Sequence, residues 1–183
     1  MIKFDVSQKL KKMKMGHSIN AIIGKKAETD IEIIKKYHLA AAFEKEFTII
    51  ILENDSMYHW SENLGYDIES ESENLDWASP IVFKIAEEIG FKKYAIIKTD
   101  YFGGIGEQFA SLYENSNCLI KETKINVVLK ELGVIAKYDN DEFDEINLGE
   151  YRESEYYYWD KNNWAKNKPN MIAGRIPSDY KQD

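Results

Sequence analysis

The sequence predicts an α+β domain, a mixed β-sheet packed with three to four helices. Three observations predict it. Capped amphipathic segments alternate with short β-branched runs. A glycine-rich stretch joins two strand-like segments into an antiparallel hairpin over about residues 93–114. The chain has 183 residues and is 44% hydrophobic, enough apolar material for a core.

The elements follow in chain order. Residues 3–15 read as a short strand or arm and then a Lys-rich helix, broken by Gly16 and His17. Residues 20–23 form a short apolar strand bounded by Gly24. Thr29 and Glu32 fit a capping box, with Thr29 as N-cap. Ile31, Ile34 and Tyr37 or His38 then recur at helical spacing, so 30–39 is a helix. Residues 47–52 are β-branched and nearly all apolar, as suits a strand covered on both faces. Residues 54–77 show no sustained period and are rich in Ser, Asn and acids, which reads as a long exposed excursion.

Ser79 as N-cap, Pro80 at the first helical position and Gly90 after the last turn bound a helix. Its apolar face is Ile81, Val82, Ile85 and Ile89. Residues 94–97 and 107–113 are the hairpin strands, with Gly103, Gly104 or Gly106 supplying positive φ at the turn. Thr123 caps a further helix in which Ile125, Val128, Leu129 and Leu132 share a face, and Gly133 ends it. Residues 134–138 read as a last strand. The organisation is one α+β domain over 1–138 and an acidic, aromatic-rich appendage over 139–183, packed on it.

Charge narrows the classes of function. The net charge is −8. Residues 139–160 carry nine acids against one base, Arg152, and a second run over 67–76 carries five acids and no base. Clustered carboxylates repel phosphates and attract basic surfaces, so nucleic-acid binding is disfavoured and a basic protein partner is favoured. Tyr151, Tyr156, Tyr157, Tyr158, Trp159 and Trp164 lie among or beside the acids of the longer run, and acid with aromatic is the composition of a docking surface. No apolar run is long enough to span a bilayer and no signal peptide is visible. The single cysteine, Cys118, forms no internal disulfide, and the expectation is a cytoplasmic protein without membrane contact.

Catalytic signatures are weak. The second glycine pair, Gly104 and Gly106, lacks the third glycine of a dinucleotide fingerprint, because Phe109 stands in that place, and no phosphate-loop Lys-Ser or Lys-Thr follows. His17, His38 and His59 have no metal-ligand spacing, so no metal or cofactor is expected. A calcium-loop beginning at Asp139 fails at Phe143 and Asp144. Cys118 reads as a half-buried structural thiol, and Ser56 and Ser61 flank His59 in a polar stretch. Thr99, Asp100, Glu107 and Gln108 frame the end of the hairpin. They either line a cleft there or stabilise the turn.

From Thr99 to Ala110 the chain runs through Tyr101-Phe102-Gly103-Gly104-Ile105-Gly106-Glu107-Gln108, and Ile125-Asn126 and Leu132-Gly133-Val134 follow. This stretch resembles a hairpin and helix of small bacterial proteins, some of them similar to immunity proteins of polymorphic toxin systems, including contact-dependent growth inhibition. The resemblance covers about 40 of the 183 residues and carries no catalytic residues. It implies a binding protein, not an enzyme, that occludes a cognate toxin. The acidic segment then suits a basic nuclease toxin, with Asp141, Glu142, Asp144, Glu145, Glu153 and Glu155 for electrostatics and Tyr157 and Trp159 as anchors. Two alternatives come from other classes: a small hydrolase or transferase with a ligand site near Asp100, Glu107 and Gln108, or a self-associating homodimer joined through its C-terminal aromatics.

Overall fold

The computed structural model describes residues 17–102, 105–151, 158 and 169–182. Seven strands form one sheet: β1 (His17–Lys25), β2 (Ala40–Glu44), β3 (Phe47–Ile51), β4 (Lys93–Phe102), β5 (Ile105–Glu114), β6 (Asn117–Thr123) and β7 (Met171–Ile172). Their spatial order is β6-β5-β4-β1-β3-β2-β7. Five α-helices accompany them among the described residues: α1 (Ile31–Lys36), α2 (Asn54–Leu64), α3 (Pro80–Ile89), α4 (Ile125–Leu132) and α5 (Glu142–Glu145).

The α+β class and the hairpin hold, with Lys93 opposite Glu114 and Phe102 opposite Ile105. The mixed sheet does not: every paired neighbour is antiparallel. The reason lies in which strands the helices connect. β1 passes through α1 to β2, and β3 passes through α2 and α3 to β4. Each such pair is parallel in direction, but a third strand is slotted between its members, β3 in the first case and β1 in the second. Helical crossovers therefore coexist with purely antiparallel pairing.

Alternation along the strands divides the core in two. Ile19, Ala21, Ile23, Ile49, Ile51, Ala95 and Ile97 face one side and pack against Ile125, Val128, Leu129 and Leu132 of α4. Ile22, Ile50, Tyr94 and Ile96 face the other and pack against Ile34 of α1, Met57 of α2 and Ile81, Val82, Ile85 and Ile89 of α3. Both faces are covered, so β3 is buried at all five positions, as its unbroken apolar run requires.

Several local expectations are corrected. The N-cap of α1 is Asp30, whose carboxylate accepts from the Glu32 amide at 2.9 Å. Thr29 instead donates to the Lys25 carbonyl and bonds the Thr48 hydroxyl at 2.8 Å. Thr123 ends β6, and Lys124 takes the cap position of α4. Residues 134–138 form no strand. The stretch read as an exposed excursion begins with α2, where Glu53 caps by accepting from the Asp55 and Ser56 amides. Met57, Trp60 and Leu64 make its apolar stripe, too thin among polar neighbours to stand out as a period. Leu75 and Trp77 are buried as well. Glu122 ties the 67–76 acidic run to β6 by accepting from Ser72 Oγ at 2.7 Å, Asn74 Nδ2 at 2.6 Å and the Glu73 amide.

Gly90 and Gly133 end α3 and α4 at φ +103° and +97°, as their positions after the last turns predict. Gly106 is a different case. It is a β5 residue facing Tyr101 without positive φ, and a Cβ there would come within 2.1 Å of the Asp100 carbonyl oxygen. Glycine is needed at 106 for close backbone approach, not for turn geometry. Gly103 and Gly104 lie outside the described residues.

The C-terminal segment enters both the core and the sheet. Ile146, Leu148, Tyr151, Tyr158 and Ile176 join the α4-side cluster, and β7 pairs with β2. The Tyr158 hydroxyl donates to the Ile51 carbonyl and accepts from the Ala40 amide at 3.0 Å, closing the end of the β2–β3 ladder.

Candidate protein-binding surfaces

The two regions singled out in the sequence lie at opposite ends of the sheet. β1 runs from His17, opposite Tyr101, to Lys25, opposite Phe47. The hairpin end adjoins the start of β1. At its other end, Lys45 of the β2–β3 turn holds Glu145 in an ion pair. One continuous site cannot contain both.

At the acidic end the carboxylates divide by role. Asp141 caps α5, accepting from the Asp144 amide and from Asn126 Nδ2, each at 2.9 Å. Glu145 is turned inward, only 4% exposed, and takes Lys45 Nζ, the Lys137 amide and Asn140 Nδ2. The Lys45 ammonium and these donors hold its carboxyl below the usual glutamate range. Glu145 therefore serves the fold here and is not a free docking charge. Glu142 is half-buried, and Asp144 and Asp139 are exposed. Glu153, Glu155, Tyr157 and Trp159 lie outside the described residues. Tyr151 and Tyr158 are core side chains, the former donating to Glu44, so at these two positions the aromatics build the interior instead of a surface. The apolar groups presented at this end were not singled out beforehand. They are Ile135, 75% exposed, and Tyr138, fully exposed and held at φ +59° beside Asp139.

At the hairpin end, cross-strand register pairs Thr99 with Gln108 and Asp100 with Glu107. Alternation puts these two rungs on opposite faces of the ribbon, so the four polar residues line no common cleft. Thr99 is buried and accepts from the Ile19 amide at 3.1 Å. Asp100, Glu107 and Gln108 are exposed. Phe102 and Ile105 form the next rung toward the tip, each 85% exposed.

A third cluster carries no obvious sequence signal because its members are far apart. Tyr180, in the turn Pro177–Gln182, stacks on His38 at 4.2 Å between ring centroids and meets His59 edge-on at 5.0 Å, with Trp60 at 6.0 Å. Ser56 Oγ lies 3.4 Å from the Tyr180 hydroxyl, and His59 bonds Asn63 instead of a serine. Burial raises the Tyr180 pKa, which keeps its hydroxyl neutral. The cluster is a packing joint between α2 and the C-terminal turn. Cys118 is exposed on β6, not half-buried. Partial desolvation of its sulfur raises the thiol pKa, the opposite of nucleophile activation. Among the described residues no three His, Cys, Asp or Glu side chains converge as a metal site, and no helix is long and apolar enough to cross a membrane.

No family model, curated protein or solved structure matches the chain. Its fold class rests on its own topology: an antiparallel seven-stranded α+β sheet with helices on both faces.

Proposed function

We propose that this protein is a cytoplasmic immunity protein that binds a basic nuclease toxin domain and occludes it. The observation that carries the reading is the juxtaposition at the acidic end. Fully exposed Tyr138 and exposed Ile135 lie in the segment that leads into the acidic run, Tyr138 next in sequence to exposed Asp139 and ahead of exposed Asp144 in α5. A chain of net charge −8 that leaves a tyrosine and an isoleucine uncovered beside acids offers an apolar anchor within a field that attracts basic surfaces. Carboxylates would occupy the phosphate-binding groove of the toxin and speed encounter, while Tyr138 would fill a pocket on it.

Association kinetics with the product of the adjacent open reading frame test this. The variant Asp139→Lys, Glu142→Lys, Asp144→Lys spares Asp141 and Glu145, whose carboxylates hold local structure. It should lower the association rate by roughly tenfold or more at low salt. The gap should narrow toward physiological salt, where the Debye length is about 8 Å. Tyr138→Ala should act on dissociation instead, because removing an anchor leaves the long-range field unchanged. Wild-type kinetics in both variants would place the contact elsewhere and remove the support for this reading.

A further inference from the structure

The hairpin end combines three features that the acidic end does not. First, β5 outruns its outer neighbour: pairing with β6 begins at Ala110 opposite Thr123, so Ile105–Gln108 has no described strand on its outer side. Alternate residues of such an edge turn their N–H and C=O groups outward, ready to receive another strand. Second, Asp100 and Glu107 stand directly opposite each other, with no cation bonded to either among the described residues. Like charges in that arrangement are unfavourable until a cation arrives. Third, the adjoining rung on the same face is the pair Phe102 and Ile105, almost wholly exposed. Toward the body of the sheet, Lys98 is already held by Asp76 at 2.8 Å and does not neutralise the pair.

We infer that the edge of β5 over Ile105–Gln108 is a second protein-binding surface, which takes an extended, basic and apolar segment of another protein as an added strand. The register is specific. A side chain of the incoming strand beside Ile105 is apolar, and the one two residues along, beside Glu107, is Lys or Arg. A second copy of this chain is the disfavoured occupant. Antiparallel self-pairing of the same edge brings both copies' Glu107 and Asp100 onto one face, with no cation between them. This surface is separate from the acidic end, and both can be occupied at once.

The test uses the full chain and two synthetic seven-residue peptides. One carries valine, lysine and valine at alternate positions with threonine between, and the other has glutamate in place of lysine. Amide hydrogen exchange should slow at Ile105–Gln108 with the lysine peptide and not with the glutamate peptide. Glu107→Lys should weaken the lysine peptide at least tenfold and favour the glutamate one, while Ile105→Ser weakens both. Equal binding of the two peptides, protection confined to residues 134–145, or no protection with either overturns the inference. The toxin kinetics above are read at Tyr138, Asp139, Glu142 and Asp144, so either proposal can fail without the other. Glu107→Lys should leave those kinetics unchanged.

Discussion

At the scale of single residues, the buried Tyr158 ties the edge of two strands together. Its hydroxyl bridges a backbone donor and a backbone acceptor at the closing rung of β2 and β3. Burial raises its pKa well above the ordinary tyrosine value. Tyr158→Phe keeps the ring and strands both backbone groups in the interior. We expect a loss of about 1–3 kcal/mol, read from urea unfolding of the variant and wild type. An unchanged midpoint would mean that the two groups find other partners. The bonded carboxylates give a second residue-scale expectation. Glu145, Glu122 and Glu88 all titrate below the usual glutamate range, because of Lys45, of Ser72 and Asn74, and of Tyr37 and Lys36 respectively. A lowered folded pKa adds stability that is complete above the unfolded value, about 4.3, and is lost as pH falls through the folded value. The stability difference between wild type and Glu122→Gln should therefore be largest near neutrality and shrink below pH ~4. A difference independent of pH would show that the Glu122 charge contributes nothing.

At the scale of elements, the C-terminal ends of α3 and α4 and the strand interiors were the parts that local chemistry predicted best. Pro80 opens α3 because its ring fixes φ near the helical value, and Gly90 and Gly133 stop α3 and α4 because only a residue without a Cβ takes the left-handed conformation there without strain. What local chemistry could not assign was the side of the sheet on which each helix lies. Ile85 and Leu129 are both fully buried, yet they belong to different clusters separated by the sheet. Each should cost on the order of 2–5 kcal/mol when cut to alanine. With no shared cavity, the double variant should equal the sum within about 0.5 kcal/mol. Denaturant titration of the two singles and the double measures it, and a clear departure would mean that the two cores act as one. The two ends of the sheet differ in the same way: α5 is drawn inward by Glu145 and Lys45, whereas the tip of β4 and β5 projects free of β6.

At the scale of the whole molecule, the segment after residue 139 completes the fold. It supplies Ile146, Leu148, Tyr151, Tyr158 and Ile176 to one core, and β7 to the sheet edge beside β2. Truncation after Tyr151 removes Tyr158, β7 and Ile176 together and uncovers Ala40, Ala42 and Ile51. The shortened chain should lose its near-ultraviolet dichroism and its cooperative thermal transition. A truncated chain that still melts cooperatively near the wild-type temperature would show that the remaining residues suffice. The charge of the molecule belongs to this scale too. At −8 its long-range field attracts cationic groups and repels anionic ones.

By itself the sequence determined the α+β class, the hairpin over about residues 93–114, a helix within 30–39, the helix from Pro80 to Gly90, the helix that Gly133 ends, and the acidic bias. Each of these depends on short-range periodicity, on a proline or glycine at a helix end, or on simple charge count. Tertiary structure alone decided that the sheet is antiparallel throughout, since only the placement of β3 between β1 and β2, and of β1 between β3 and β4, separates the parallel pairs. It also decided which polar residues are free. Glu145 and Asp144 are neighbours of the same charge, but one is turned into a cage of donors and the other faces solvent. Asp100 and Thr99 are likewise adjacent, and the two-residue repeat of a strand sends one outward and buries the other. Long-range packing makes that choice, and no window of sequence contains it.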